Sequence, residues 1–158
     1  MNFEEIVHRL VEKKKTVSTM ESCTGGLLAS SITNIEGSSE VFAYGAVTYS
    51  NDFKIKMGVP AEIIEKYTVY SKETARAMAK AISNFTCADY GIGITGRLNK
   101  EDLHNIEGNS TLIYICIYDR EEDTYIDQSM SIMPDARDNM KEQVIKLVCI
   151  IFGNHIKK

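Results

Sequence analysis

The chain has 158 residues, 44% hydrophobic and 25% charged, with a formal net charge of −4. That balance suits one globular domain with a substantial core and excludes a disordered chain; the acidic sign, with no basic face, argues against nucleic acid as a partner. No apolar run approaches the ~20 residues of a membrane span, and MNFEEIVHRL has acids where a signal peptide needs bases, so a cytoplasmic protein without a membrane partner is expected.

Phe3, Ile6, Val7, Leu10 and Val11 recur at helical spacing and predict a first helix over 3–14. The β-branched run from Thr16 to Met20 predicts a strand. ESCTGG follows it, and Leu27 to Ile35 reads as a helix, so a strand, a small glycine-bearing turn and a helix open an α/β unit. A second strand is expected from Val41 to Tyr49 and a short helix from Ala61 to Tyr67, with Pro60 suited to its first turn. Ser71, followed by Glu73 and Thr74, predicts an N-cap. Its helix runs to about Phe85 and buries Ala75, Met78, Ala79 and Ile82. Ala88 to Thr95 predicts a third strand, and 96–109 a polar loop.

Thr111–Tyr118 and Thr124–Met133 predict a hairpin turned at DREED, whose acids Asp119, Glu121, Glu122 and Asp123 are expected to be solvated. From Pro134 to about Phe152 the chain reads as helical, with Met140, Val144, Leu147, Val148 and Ile151 on one face. Helices, strands and a late hairpin alternate without a linker or repeat. The expected fold is α/β: a single three-layer α/β/α domain with a mixed sheet, spanning residues 1–158.

Cys23, Cys87, Cys116 and Cys149 lie far apart and form no CxxC pair, so free thiols, mostly buried, are expected. His8, His104 and His155 also stand apart, which disfavours a zinc site and a histidine-based triad. No metal or other cofactor is called for.

Two segments carry the candidate chemistry. The first is ESCTGG, residues 21–26. A helix N-terminus presents free N–H groups to an anion, Gly25 and Gly26 allow close approach, and Ser22 and Thr24 add hydroxyls. A phosphate-binding turn is one reading; an ordinary N-cap, with Ser22 or Thr24 capping, is the other. No lysine follows the glycines as a P-loop requires. Cys23 has no histidine placed to activate it.

The second segment is GSSEVFAYGAVTYSNDFK, residues 37–54. If Ser39, Tyr49 and Lys54 converge, they supply a nucleophile, a proton relay and a base for amide hydrolysis. Extended, Ser39 and Tyr49 stand ~30 Å apart, so convergence needs the chain to fold back. Otherwise Ser38 and Ser39 cap a turn, Tyr49 packs at a strand end and Lys54 is solvated. Catalysis also needs a neutral lysine: the reference pKa of ~10.4 must fall by ~3, about 4 kcal/mol.

Together these segments resemble one family. ESCTGGLLASSIT, EGSSEVFAYGAVTYSNDFKIKMGV, VYSKETARAMAK and GIGITG are similar to the CinA C-terminal domain family, over most of residues 4–96. Its enzymatic members are nicotinamide-nucleotide amidases, which convert nicotinamide mononucleotide to nicotinic acid mononucleotide and ammonia in pyridine nucleotide salvage. Its long members carry this domain after a molybdopterin-binding-like one. The resemblance implies a small-molecule nucleotide substrate. It places catalysis on Ser39, Tyr49 and Lys54, and substrate binding on Ser22, Cys23, Thr24, Gly25, Gly26, Thr95, Gly96, Arg137 and Lys141. It also implies a homo-oligomer, a dimer being favoured.

The sequence departs from the family pattern twice. Where the family follows ITG with a glycine- and proline-rich loop, this chain reads ITGRLNKEDLHNIEGNSTLIYI. Of the family's two arginines at the start of the last helix, Arg137 matches the first, while Lys141 stands at the second and lacks the bidentate fork. Arg97 is open to two readings, a replacement phosphate contact or a closure of the pocket. The family kit predicts an active amidase on nicotinamide mononucleotide. The altered loop leaves two alternatives, a homologue that binds nucleotide without turnover and an enzyme for a different phosphorylated amide.

Overall fold

The computed structural model describes residues 1–98 and 111–157. Its elements, in chain order, are α1 (Phe3–Lys13), β1 (Val17–Glu21), α2 (Leu27–Thr33), a 3-10 turn (Ser38–Glu40), β2 (Gly45–Val47), α3 (Asn51–Lys56), α4 (Ala61–Tyr67), α5 (Lys72–Thr86), β3 (Tyr90–Gly96), β4 (Leu112–Asp119), β5 (Thr124–Ser131) and α6 (Arg137–Ile156). The loop expected over 96–109, with His104, lies outside the described residues from 99 onward.

The five strands form one mixed sheet in the order β2-β1-β3-β4-β5. β1 pairs in parallel with β2 and β3, and β4 and β5 complete the sheet antiparallel. The central strands β1 and β3 are buried along their whole length, as a sheet covered on both faces requires. One face carries α1, α2 and α6 over a core that includes Ile6, Leu10, Ile92, Ile94, Val144, Val148 and Phe152. The other carries α4 and α5, where Met78 and Ile82 pack on Met20. The architecture is the expected three-layer α/β/α domain.

The helix patterns translate directly. Ser71 caps α5 by accepting from the Thr74 N–H, and Ala75, Met78, Ala79 and Ile82 are its buried face. Glycine in β3 is a matter of clearance: a Cβ on Gly91 would lie 2.0 Å from the Ala79 carbonyl oxygen, and one on Gly93 2.3 Å from that of Ala75. The α5 backbone therefore lies directly on this strand.

Three expectations change. The strand expected over Val41–Tyr49 is only Gly45–Val47, and α3, which no apolar period announces, follows it. The DREED acids are not uniformly solvated: Asp119 is buried, accepts the N–H groups of Glu121 and Glu122, and lies 2.8 Å from His155 Nε2. Residues 134–136 precede α6 rather than open it. Among the described residues no helix is long and apolar enough to cross a membrane.

Candidate active site

In a parallel α/β sheet, loops leaving the carboxyl ends of the strands converge on one rim, where ligands bind. Here that rim holds Ser22 and Cys23 after β1, Tyr49 to Lys54 after β2, and Gly96 to Leu98 after β3. With Val69, Tyr70 and Arg137 these residues line a cavity of about 200 Å³.

Lys54 is the chemical centre. Ser50 caps α3 through the Phe53 N–H, and the short helix turns Lys54 inward until it is 1% exposed. Its Nζ donates to the Thr48 carbonyl at 2.6 Å and lies 3.1 Å from Ser22 Oγ. Burial depresses the Lys54 pKa; the nearby Cys23 thiol opposes that shift more weakly. Lys54 is therefore not the solvated lysine of the bland sequence reading. It is a base pushed toward its neutral form, against a serine hydroxyl held by the Ser22 N–H bond to Ile94 O.

The serine is not the expected one. Ser39 is exposed on the 3-10 turn and does not line the cavity. The sheet register explains why. Val17 N–H bonds the Val41 carbonyl, which fixes the segment after Ser39 beside the start of β1. Ser22 follows the end of β1, five residues further along, about 17 Å at strand rise. The structure brings Lys54 together with Ser22 and leaves Ser39 toward the opposite end of the strand.

Tyr49 lines the cavity but is 67% exposed, and its hydroxyl bonds Arg137 Nη2 at 3.1 Å rather than Lys54. Arg137 Nη1 also donates to the Leu98 carbonyl. Cys23 is buried and its thiol pushed up to about 12 by desolvation, so it is no thiolate nucleophile at neutral pH. Thr95 is buried, with its hydroxyl donating to Val69 O. That bond ties the end of β3 to the segment before α5, while Gly96 lines the cavity itself.

ESCTGG does different work from either sequence reading. The N-terminus of α2 is already occupied: Glu21, 1% exposed, accepts from Leu28 N–H at 2.9 Å, Ala29 N–H at 3.0 Å and Thr24 Oγ1 at 2.7 Å. A carboxylate of the chain itself sits where an external phosphate was expected, and neither Ser22 nor Thr24 caps the helix. Thr24, Gly25, Gly26 and Lys141 line a separate cavity with Asp138 and Glu142. Lys141 reaches the turn closely enough that a Cβ on Gly25 would lie 3.2 Å from its Nζ. Glu21→Ala should lower unfolding stability by about 3 kcal/mol, because it orphans two backbone donors and a hydroxyl in a buried place. Urea denaturation measures this, and an unchanged midpoint would remove the capping role.

The functional residues that sequence reasoning left without an assigned role are Glu21, as the cap of α2, and Arg97, whose guanidinium carbon lies 4.5 Å from the Tyr70 ring centroid at the cavity. A buried acid directly after a strand, followed by a glycine turn, is the signal that pointed to Glu21.

The sequence matches the CinA C-terminal domain family over residues 2–151. A Clostridium beijerinckii protein named among competence-damage inducible proteins is 47% identical over 120 residues, 75% of this chain and 29% of that protein. A CinA-like protein of Desulforapulum autotrophicum is 46% identical over 94 residues, 59% of this chain and 22% of that protein. The chain thus spans less than a third of the length of these curated relatives. Among solved structures, a competence-damaged protein (CinA) superfamily protein from Klebsiella pneumoniae superposes with a TM-score of 0.88 at 22% identity, over 99% of both chains. Competence/damage inducible protein CihA from Agrobacterium tumefaciens gives 0.86 at 27% identity, over 99% of this chain and 96% of that one.

Proposed function

Because the chain belongs to the CinA C-terminal domain family, we propose that it is an amidohydrolase that converts nicotinamide mononucleotide to nicotinic acid mononucleotide and ammonia. The observation that carries this reading is the buried Lys54, its pKa depressed, 3.1 Å from the Ser22 hydroxyl in a polar cavity.

Neutral Lys54 takes the hydroxyl proton as Ser22 Oγ attacks the carboxamide carbon. The tetrahedral oxyanion is met by backbone donors; the N–H of Cys23, which follows the serine, is accepted by no backbone carbonyl and is the nearest in sequence. Lys54 then returns the proton to the amide nitrogen, the C–N bond breaks and ammonia leaves. Water attacks the resulting ester, Lys54 receives its proton, and the acid departs as Ser22 Oγ is reprotonated. Thr48 O holds the ammonium form of Lys54 between the two transfers. Tyr49, anchored by Arg137 at the cavity wall, contacts substrate rather than relaying the proton.

Ammonia release by the purified protein across a panel of nucleotide amides tests the proposal. Nicotinamide mononucleotide should be turned over, and faster than amides without a phosphate. Binding of that nucleotide without ammonia from any amide would replace the amidase with a nucleotide-binding protein. Turnover of a different phosphorylated amide alone would keep the chemistry and change the substrate.

A further inference from the structure

We infer that Arg97 is a specificity-determining residue: stacked on Tyr70, it forms with Arg137 a two-guanidinium subsite that takes the phosphate monoester of the substrate. The inference rests on the amidase reading for the identity of the substrate, but the subsite itself stands on geometry.

The charged side chains lining the cavity among the described residues are Lys54, Arg97 and Arg137, with no carboxylate beside them. Lys54 is committed to Ser22 and Thr48. The other two are held in different ways. Arg137 spends Nη1 on the Leu98 carbonyl and Nη2 on the Tyr49 hydroxyl, both neutral acceptors that leave its charge uncancelled by those bonds. Arg97 is half-buried, its backbone N–H bonds Leu112 O, and its guanidinium lies over the Tyr70 ring. Stacking fixes the plane of a guanidinium through its face and leaves the in-plane N–H fork at its edge for a bidentate acceptor. Among the described residues no ion pair occupies that fork.

Two cations on one small cavity repel each other unless a dianion lies between them, and a phosphate monoester has the charge and the oxygens to bond both forks. Position adds to chemistry. Arg97 directly follows β3, and Ser22 directly follows the neighbouring β1, so the anion subsite and the reacting hydroxyl open on the same rim. The α2 N-terminus, closed by Glu21, leaves side-chain guanidinium groups as the cavity's means of holding phosphate.

Arg97→Gln and Arg97→Lys test the inference by two readouts. In the first, thermal unfolding is followed with and without inorganic phosphate. Wild type and Ser22→Ala should gain stability with phosphate, Arg97→Gln should not, and all three should unfold alike without it. In the second, KM and kcat are compared for nicotinamide mononucleotide and for its dephosphorylated riboside. Arg97→Gln should raise KM for the nucleotide about tenfold to a hundredfold, as expected for loss of charge-assisted bonds. The riboside should be unaffected, and Arg97→Lys should recover only part of the loss because it restores charge without the fork.

An equal loss on both substrates, or phosphate stabilisation that survives Arg97→Gln or is missing from wild type, overturns the subsite. If wild type releases no ammonia, the phosphate shift still decides the fate of Arg97, so failure of the subsite and failure of the amidase reading are told apart.

Discussion

Lys54→Met should abolish amide hydrolysis, with kcat/KM falling at least ~10³-fold, about 4 kcal/mol of transition-state stabilisation. Methionine keeps the length and apolar stem of the side chain and removes the proton acceptor. Lys54→Arg should fail as completely, because a guanidinium retains the charge and cannot give up its proton; activity in the arginine variant would mean that Lys54 acts only as a cation. The pH profile carries the same claim. Burial depresses the Lys54 pKa, and the neutral form is the working base, so kcat/KM should rise with pH through a limb below the ordinary lysine value of about 10.4.

The sign for stability follows from the same shift. The unfolded chain holds the Lys54 proton to higher pH than the folded protein does. Stability therefore climbs between the folded and unfolded pKa values, and the penalty of the buried charge is fully present below the folded one. Lys54→Met removes that penalty, against the loss of one hydrogen bond to Thr48 O worth about 1 kcal/mol. The variant should thus be inactive yet no less stable than wild type at mildly acid pH, which separates a catalytic defect from a folding one. A variant that is both inactive and unfolded at every pH would deprive Lys54 of its assigned role.

Much of the architecture was written in local patterns. The buried faces of α1, α5 and α6 follow from 3.6-residue periodicity, and Ser71 announced its helix through a capping serine with an acid in the first turn. The same signal was present at Ser50, with Asp52 in the first turn, but six residues are too few to show an apolar period. β2 was overcounted because Val41 to Tyr44 are apolar without being paired as a strand; of these, Val41 already bonds the sheet at Val17, well before Gly45 begins the ladder.

The site was legible in its parts and not in its pairings. Which serine meets Lys54 is decided by the parallel register of β1 and β2, a non-local fact that spacing along 37–54 does not contain. The family pattern supplied Lys54 and the rim residues, while the register replaced the nucleophile. Glu21 had the opposite fate: it stood in plain view in ESCTGG, and only the placement of α2 shows that its carboxylate takes the helix N–H groups an external anion would have needed.

Ser22 as the partner of Lys54 is the central claim, and one comparison tests it most directly. Initial rates of ammonia release from nicotinamide mononucleotide are measured for wild type, Ser22→Ala and Ser39→Ala at matched protein concentration, with equal unfolding midpoints as the control. Ser22 Oγ is the hydroxyl within reach of Lys54 Nζ, whereas Ser39 is exposed on the 3-10 turn and a surface substitution there should move stability by no more than about 0.5 kcal/mol. Ser22→Ala should lose at least ~10³-fold in kcat, as removal of a covalent nucleophile does, and Ser39→Ala should stay within about twofold of wild type. A Ser39→Ala variant that loses turnover while Ser22→Ala keeps it would contradict the assignment and return the nucleophile to Ser39.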